Sequence, residues 1–253
     1  MLPVDDLGEP VPLDSPRRVV SLVPSITEAV AATVPTVLIG ATDYCTHPAD
    51  LDVDRVGGSK YPDIAKVLAL NPDLVIANSE ENRPEDVDRL RANGIPVWVT
   101  EAPATVPTAL ASLRRFFGTA WDAEPDWLIK AEDLWRETTP TKRKAVIPVW
   151  RRPWVVIGRD TFAGDVLHRL GVENVYAQSE ERYPRPTLAE INATEPDLVV
   201  LPDEPYLFTH EDGPESFPGL PYVLVNGRHL TWYGPSLVEA RESLTNALNY
   251  VNS

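Results

Sequence analysis

The chain has 253 residues, enough for two lobes that each bury a core. Hydrophobic residues make up 43% and charged residues 24%, as in water-soluble globular proteins, and no stretch approaches the roughly 20 apolar residues of a membrane span. A net charge of −15 argues against nucleic acid and against an anionic membrane surface as partners, and a lone cysteine, Cys45, leaves no internal disulfide.

The opening residues, MLPVDDLGEPVPLDSPRRVV, show no basic head followed by an apolar run. The expectation is therefore a cytoplasmic protein; the alternative is an extracytoplasmic one whose signal has been removed. Residues 18–23 form an apolar, β-rich run and predict a strand. A helix follows, with Ser25 as N-cap and Glu28 at the capping-box spacing. Strands are expected at 36–42, 73–78 and 95–101, with helices at 63–72, 84–94 and 105–118. This alternation implies a parallel sheet covered on both faces.

Residues 121–144 carry Trp127, Leu128, Ala131, Leu134 and Trp135 at helical spacing and predict one linking helix. Beyond it the plan repeats, with strands at 144–150, 154–158, 197–203 and 222–227 and helices at 160–172 (capped by Asp160), 187–196 and 236–251. DIAKVLALNPDLVIAN (63–78) echoes TLAEINATEPDLVVLP (187–202). The fold class is thus α/β, two similar lobes at 1–120 and 144–253 with parallel-type sheets, joined by a single long backbone helix at 121–143 and enclosing a cleft.

Ligands of parallel α/β sheets gather outside the carboxyl ends of the strands. The loops there hold Ser25; Asp43, Tyr44, Cys45 and His47; Ser59 and Tyr61 of GGSKYP; and SEEN at 79–82. In the second half they hold Trp150, Arg151 and Arg152 of WRRPW, then Tyr183, Tyr206, His229, Trp232 and Tyr233. So many aromatics with scattered polar groups suit a large flat or amphipathic ligand. The usual nucleophile, metalloprotease and phosphate-loop motifs are missing. A Cys45–His47 dyad is disfavoured because alternate residues of an extended loop point apart. A zinc site from Asp43, Cys45 and His47 has poor spacing and no second cluster. The plain alternative for this loop is packing, with Cys45 a small buried hydrophobe. His168 reads as helix surface and His210 as solvated loop, while His229 is the histidine best placed to face a ligand. Arg151 and Arg152 either meet an aromatic or carboxylate of the ligand or clamp a strand edge.

RVVSLVPSITEAVAA, VGGSKYPDIAKVLALNPDLVIA, LRANGIPVWV, DVLHRLGVENVY and EINATEPDLVVL together resemble the class III solute-binding proteins. These helical-backbone metal receptors include binders of vitamin B12, haem and ferric siderophores, and the vitamin B12 branch is the nearest. The resemblance implies a ligand held between two lobes, with Tyr44, Tyr61, Tyr183, Trp232 and Tyr233 on the pocket wall. It also places at Ala65 and Ala189 the two glutamates through which importer subunits dock on an ABC permease, which argues against such docking here.

The expected function is non-enzymatic binding of a corrinoid or related large metal chelate, with no cofactor beyond cobalamin or haem as ligand. Ser25, Arg151, Arg152 and the backbone at Gly57–Ser59 would supply hydrogen bonds; no protein ligand to the metal is required, and His47 and His229 are the candidate axial groups. The alternatives are a haem or ferric-siderophore binder, including an importer subunit, and an enzyme reusing the fold with Glu80, Glu81 and His229 as acid–base groups.

Overall fold

The computed structural model describes residues 2–251 and divides into two compact units. The first unit comprises Met1–Ala102 with Leu110–Ile129; the second comprises Pro103–Ala109 with Lys130–Ser253.

In the first unit the chain runs β1 (Val19–Ser21), α1 (Pro24–Thr33), β2 (Leu38–Ala41), β3 (Asp54–Arg55), α2 (Ile64–Ala69), β4 (Leu74–Asn78), α3 (Pro84–Ala92) and β5 (Val97–Thr100). The strands form one parallel sheet in the order β3-β2-β1-β4-β5. Strands β1, β4 and β5 are buried at every position, as a sheet covered on both faces requires. Val20, Val75, Val97 and Val99 pack with Val67, Val87 and Leu90 of the helices. The sequence expectation put the α1 cap at Ser25. The helix instead begins at Pro24 with Val23 as N-cap, because proline's fixed φ and missing N–H suit the first helical position.

Two helices carry the chain across the boundary between the units. Helix α4 (Val106–Trp121) passes from the second unit into the first after Ala109, and α5 (Asp126–Leu134) returns after Ile129. The helix expected over 121–144 is therefore α5 alone. Thr138 and Thr139 precede Pro140, whose ring drives the preceding residue out of helical geometry.

The second unit continues with β6 (Arg143–Val146), β7 (Pro148–Trp150), β8 (Val155–Val156), α6 (Phe162–Arg169), β9 (Val172–Asn174), α7 (Leu188–Ala193), β10 (Leu198–Pro202), β11 (Tyr222–Val225), α8 (Gly227–Thr231) and α9 (Leu237–Asn249). Its parallel sheet has the order β11-β10-β6-β9, while β7 and β8 form a separate antiparallel hairpin. Thr161, not Asp160, is the N-cap of α6, since Asp160 takes a left-handed φ of 51° in the preceding turn. Three elements lay outside the sequence expectation, the edge strands β3 and β9 and the five-residue α8.

The echoed segments are the same device in both units. Asp63 caps α2 by accepting from Lys66 N–H, and Thr187 caps α7 by accepting from Glu190 N–H. Each helix ends in a left-handed residue, Asn71 at φ 48° and Glu195 at φ 47°, then proline and aspartate. Asp73 N–H donates to Arg18 O at 2.9 Å, and its carboxylate accepts from Arg17 and Arg18 N–H at 2.9 and 2.8 Å. Likewise Asp197 N–H donates to Lys144 O at 2.8 Å and its carboxylate accepts from Lys144 N–H at 2.9 Å. In the first unit a further buried carboxylate, Asp5, accepts from Leu7, Glu9 and Val99 N–H and from Arg91, at 2.9–3.2 Å.

Asp5→Ala leaves the buried Val99 N–H and the Arg91 cation unpaired and should cost about 2–4 kcal/mol in urea unfolding. Glu195→Asn gives the left-handed position the residue used at its counterpart and should gain about 0.5–1 kcal/mol.

Candidate functional site

At the carboxyl edge of the first sheet, Tyr44 and Tyr61 stand out by exposure, 65% and 70%. Tyr44 borders Gly58, where a Cβ would come within 3.4 Å of its ring. Tyr61 carries the Arg83 guanidinium 4.7 Å above its ring centroid, and Arg83 is itself held by Asp86. Along the same edge runs a set of hydroxyls and a thiol, with the Arg55 guanidinium donating to the Thr42 and Cys45 carbonyls. Thr27 donates to Ser21 Oγ at 2.7 Å, Thr27 and Thr42 hydroxyls lie 3.0 and 3.1 Å from Cys45 Sγ, and Thr42 lies 3.3 Å from Ser59 Oγ. Burial pushes the Cys45 thiol up, so it is a small buried group and not a nucleophile. Ser25 is 3% exposed, and its hydroxyl has no hydrogen-bond partner among the described residues. His47 is half-buried, with Nδ1 3.1 Å from Thr46 Oγ1.

The SEEN loop is fixed by its two flanking asparagines. Asn78 Oδ1 accepts from Glu80 and Glu81 N–H at 2.9 and 3.3 Å, and Asn82 Oδ1 accepts from Asn78 N–H at 2.8 Å. Asn82 Nδ2 donates to Leu22 O and Ser59 O, tying this loop to β1 and to GGSKYP. Burial, with the Glu80 charge beside it, pushes the Glu81 carboxyl up to about 7.

In the second unit, Trp150 is 45% exposed and meets Tyr206 edge-on at 5.5 Å, while Tyr183 is 38% exposed. Arg151, expected to face a ligand, is 9% exposed and turned inward. It pairs with Asp212, donates to Glu215 at 2.7 Å and stacks 5.2 Å from Trp154. Tyr206 donates to Asp212 at 2.6 Å, and this bond together with Arg151 holds the Asp212 carboxyl below its ordinary range. The pair closes the 203–217 loop over the β7–β8 turn, which is the strand-edge clamp. Arg152 is exposed.

His229 lies on α8, with Nδ1 3.0 Å from Ser243 Oγ and Nε2 3.2 Å from Glu239 of α9. Both ring nitrogens are engaged by α9, which removes it as an axial ligand or acid–base group; its position in a helix and not a loop is the reason. Trp232 and Tyr233 are buried, Tyr233 against Phe162 at 5.6 Å, so they are core and not wall. A cavity of about 210 Å³ lies beside Thr105, Asp160, Asp165, His168 and Glu173. It is below the size of a large-ligand pocket. No cluster of three or more metal-ligating side chains occurs among the described residues.

The sequence thus located Tyr44, Tyr61, Trp150 and Tyr183 on exposed loop surface and missed Asp212 and Glu215, whose only advance signal is acid density opposite WRRPW. Glu81 yields a pH prediction. Below about pH 4.5 both folded and unfolded chains carry it protonated; between there and about 7 only the unfolded chain ionises, so stability falls as pH rises. Glu81→Gln should therefore gain about 1–3 kcal/mol on wild type at pH 8 relative to pH 5 in urea titrations, an upper range reduced by partial exposure.

No family model matches the chain. It is 26% identical over 255 residues to the vitamin B12-binding protein of Salmonella typhi, covering 96% of this chain and 94% of that one. It is 24% identical to the vitamin B12-binding protein of Yersinia pestis (strain Pestoides F), covering 76% of this chain and 71% of that protein. Among solved structures, the periplasmic vitamin B12-binding protein of Vibrio cholerae superposes with a TM-score of 0.73 at 19% identity, covering 93% and 97% of the two chains. A periplasmic haem-binding protein from Pseudomonas aeruginosa gives 0.77 at 22% identity, covering 94% and 95%. That these structural neighbours are periplasmic proteins contradicts the cytoplasmic expectation, which rested on the opening residues alone. Among the described residues, no helix is long and apolar enough to cross a membrane. Along nearly its whole length the chain is similar in sequence to vitamin B12-binding proteins, and its fold is that of periplasmic vitamin B12- and haem-binding proteins.

Proposed function

We propose that this chain is a non-enzymatic binding protein for a corrinoid or a closely related large metal chelate. The observation that carries the reading is the exposure of Tyr44 and Tyr61 on loops of the first unit, and of Trp150 at the end of β7 and Tyr183 on a loop of the second. Large aromatic faces left in water are costly unless a flat apolar partner covers them. The neutral hydroxyls along the edge that carries Tyr44, and the Ser25 hydroxyl, unpartnered among the described residues, suit a ligand with neutral polar groups at its rim. Similarity to vitamin B12-binding proteins favours the same class. The buried Cys45 removes the proposed nucleophile and the engaged His229 removes one member of the acid–base set, leaving Glu81 as its one perturbed carboxyl, which favours binding over catalysis.

Docking on an importer's permease through paired carboxylates finds no support at the corresponding helices. Ala65 and Ala189 are exposed at the second positions of α2 and α7. Glu190, next along, is committed to the Thr187 capping box, accepting from Thr187 N–H at 2.7 Å.

Titration with cyanocobalamin, followed by tryptophan quenching, should give saturable one-to-one binding at micromolar concentration. Tyr44→Ala and Tyr61→Ala should each weaken it by about three- to tenfold, the range of one lost ring contact. A flat response up to 100 times that concentration (on the order of ~0.1 mM, some 5.5 kcal/mol of affinity) overturns the corrinoid reading. Haem is the second reading, favoured by the exposed Tyr44 ring and by the haem-binding neighbours. It requires a Soret shift that Tyr44→Phe abolishes.

A further inference from the structure

The Glu81 side chain has no part in the ring contacts described above, and only its backbone N–H joins the hydrogen bonding of the SEEN loop. Asn78 before the loop and Asn82 at its end bond to loop backbone, and Asn78 also to Thr100 Oγ1, so Glu81 rides on a fixed turn directly after β4. Its carboxyl is half-buried and accepts no hydrogen bond from the described residues. Cations occur along the same edge, yet each is committed elsewhere. Lys60 donates to Glu80 O at 3.3 Å, Arg83 pairs with Asp86 and covers Tyr61, and Arg55 donates to Thr42, Cys45 and Leu51 carbonyls. The titratable group acting on Glu81 is Glu80 on its own loop, and Glu81 in turn helps to push up the Cys45 thiol on the loop after β2.

We propose that Glu81 is a specificity-determining residue of this edge, favouring chelates that present an amide there and rejecting those that present a carboxylate. The inference rests on the binding reading above and adds a rule for the ligand's rim. An ionised carboxyl accepts an amide N–H, and a protonated one donates to an amide C=O, so a neutral amide is satisfied by either form. A ligand carboxylate is satisfied only by the protonated form and otherwise meets a like charge, while the cations of this edge are already bonded to carbonyls or to Asp86. Corrinoids carry neutral amides on their periphery, whereas haem carries two carboxylates. Because burial holds Glu81 near the middle of its titration at neutral pH, the rejection should switch on as pH rises.

The test compares cyanocobalamin and haemin binding to wild type and Glu81→Gln between pH 6.5 and 8.5. Wild-type haemin affinity should fall with rising pH, by up to about tenfold per unit above 7, the limit for one linked proton. In Glu81→Gln that slope should vanish and the preference for cobalamin over haemin should shrink at least about fivefold at pH 8, the effect of removing one like charge. Wild type that binds either ligand, with a haemin affinity flat in pH and unmoved by the substitution, overturns this inference and leaves the binding reading standing. Wild type that binds neither ligand overturns both. Should Glu81→Gln not fold, the wild-type haemin slope decides alone.

Discussion

The proline–aspartate pin underlies the organisation of both units. A strand entering a parallel sheet has no hairpin to set its register, so something local must fix where pairing begins. Asp73 does this for β4 against β1, and Asp197 for β10 against β6, each donating its N–H to a carbonyl of the neighbouring segment and accepting that residue's N–H on its carboxylate. The preceding proline ends the helix and the left-handed residue turns the chain into the strand. With the start of the strand fixed, its far end is fixed too. The loops that carry Tyr44 and SEEN in one unit, and the 203–217 loop in the other, therefore leave their sheets at set heights.

From that edge the two units make different surfaces. The first sets exposed tyrosines along an edge of hydroxyls and a thiol, held by hydrogen bonds that engage no full charge. The second ties its aromatic loop down with an ion pair, where Arg151 draws Asp212 and Glu215 onto the β7–β8 turn and Tyr206 joins them. Such a buried guanidinium fixes loop geometry more than it adds stability. Its place inside the loop explains why WRRPW offers Trp150 to solvent but withholds one of its two arginines.

A chain this acidic would be expected to spread its negative charge over solvated surface, and for most of its carboxylates that holds. Glu81 departs from the pattern because the asparagine-locked turn holds it in place while nearby cations are drawn to carbonyls and to other acids. The result is a titratable group at an aromatic edge, where its protonation state affects any polar group laid against it.

Much of this was legible in the sequence because it is written in local patterns. Apolar runs gave the central strands, the 3.6-residue rhythm gave the longer helices, and the repeated Pro-Asp gave the twofold plan. The exposed loop tyrosines and Trp150 followed from position alone, since aromatics after strand ends have few core partners. What local pattern cannot carry is partnership across distance. Whether His229 faces a ligand or Ser243 and Glu239, whether Arg151 points outward or to Asp212, and whether Trp232 is wall or core depend on residues brought together only when the chain has folded. The sequence determined which residues could serve at the edge of each sheet; the tertiary structure decided which of them were already committed, because a hydrogen bond or ion pair made inside the fold is no longer available to a ligand.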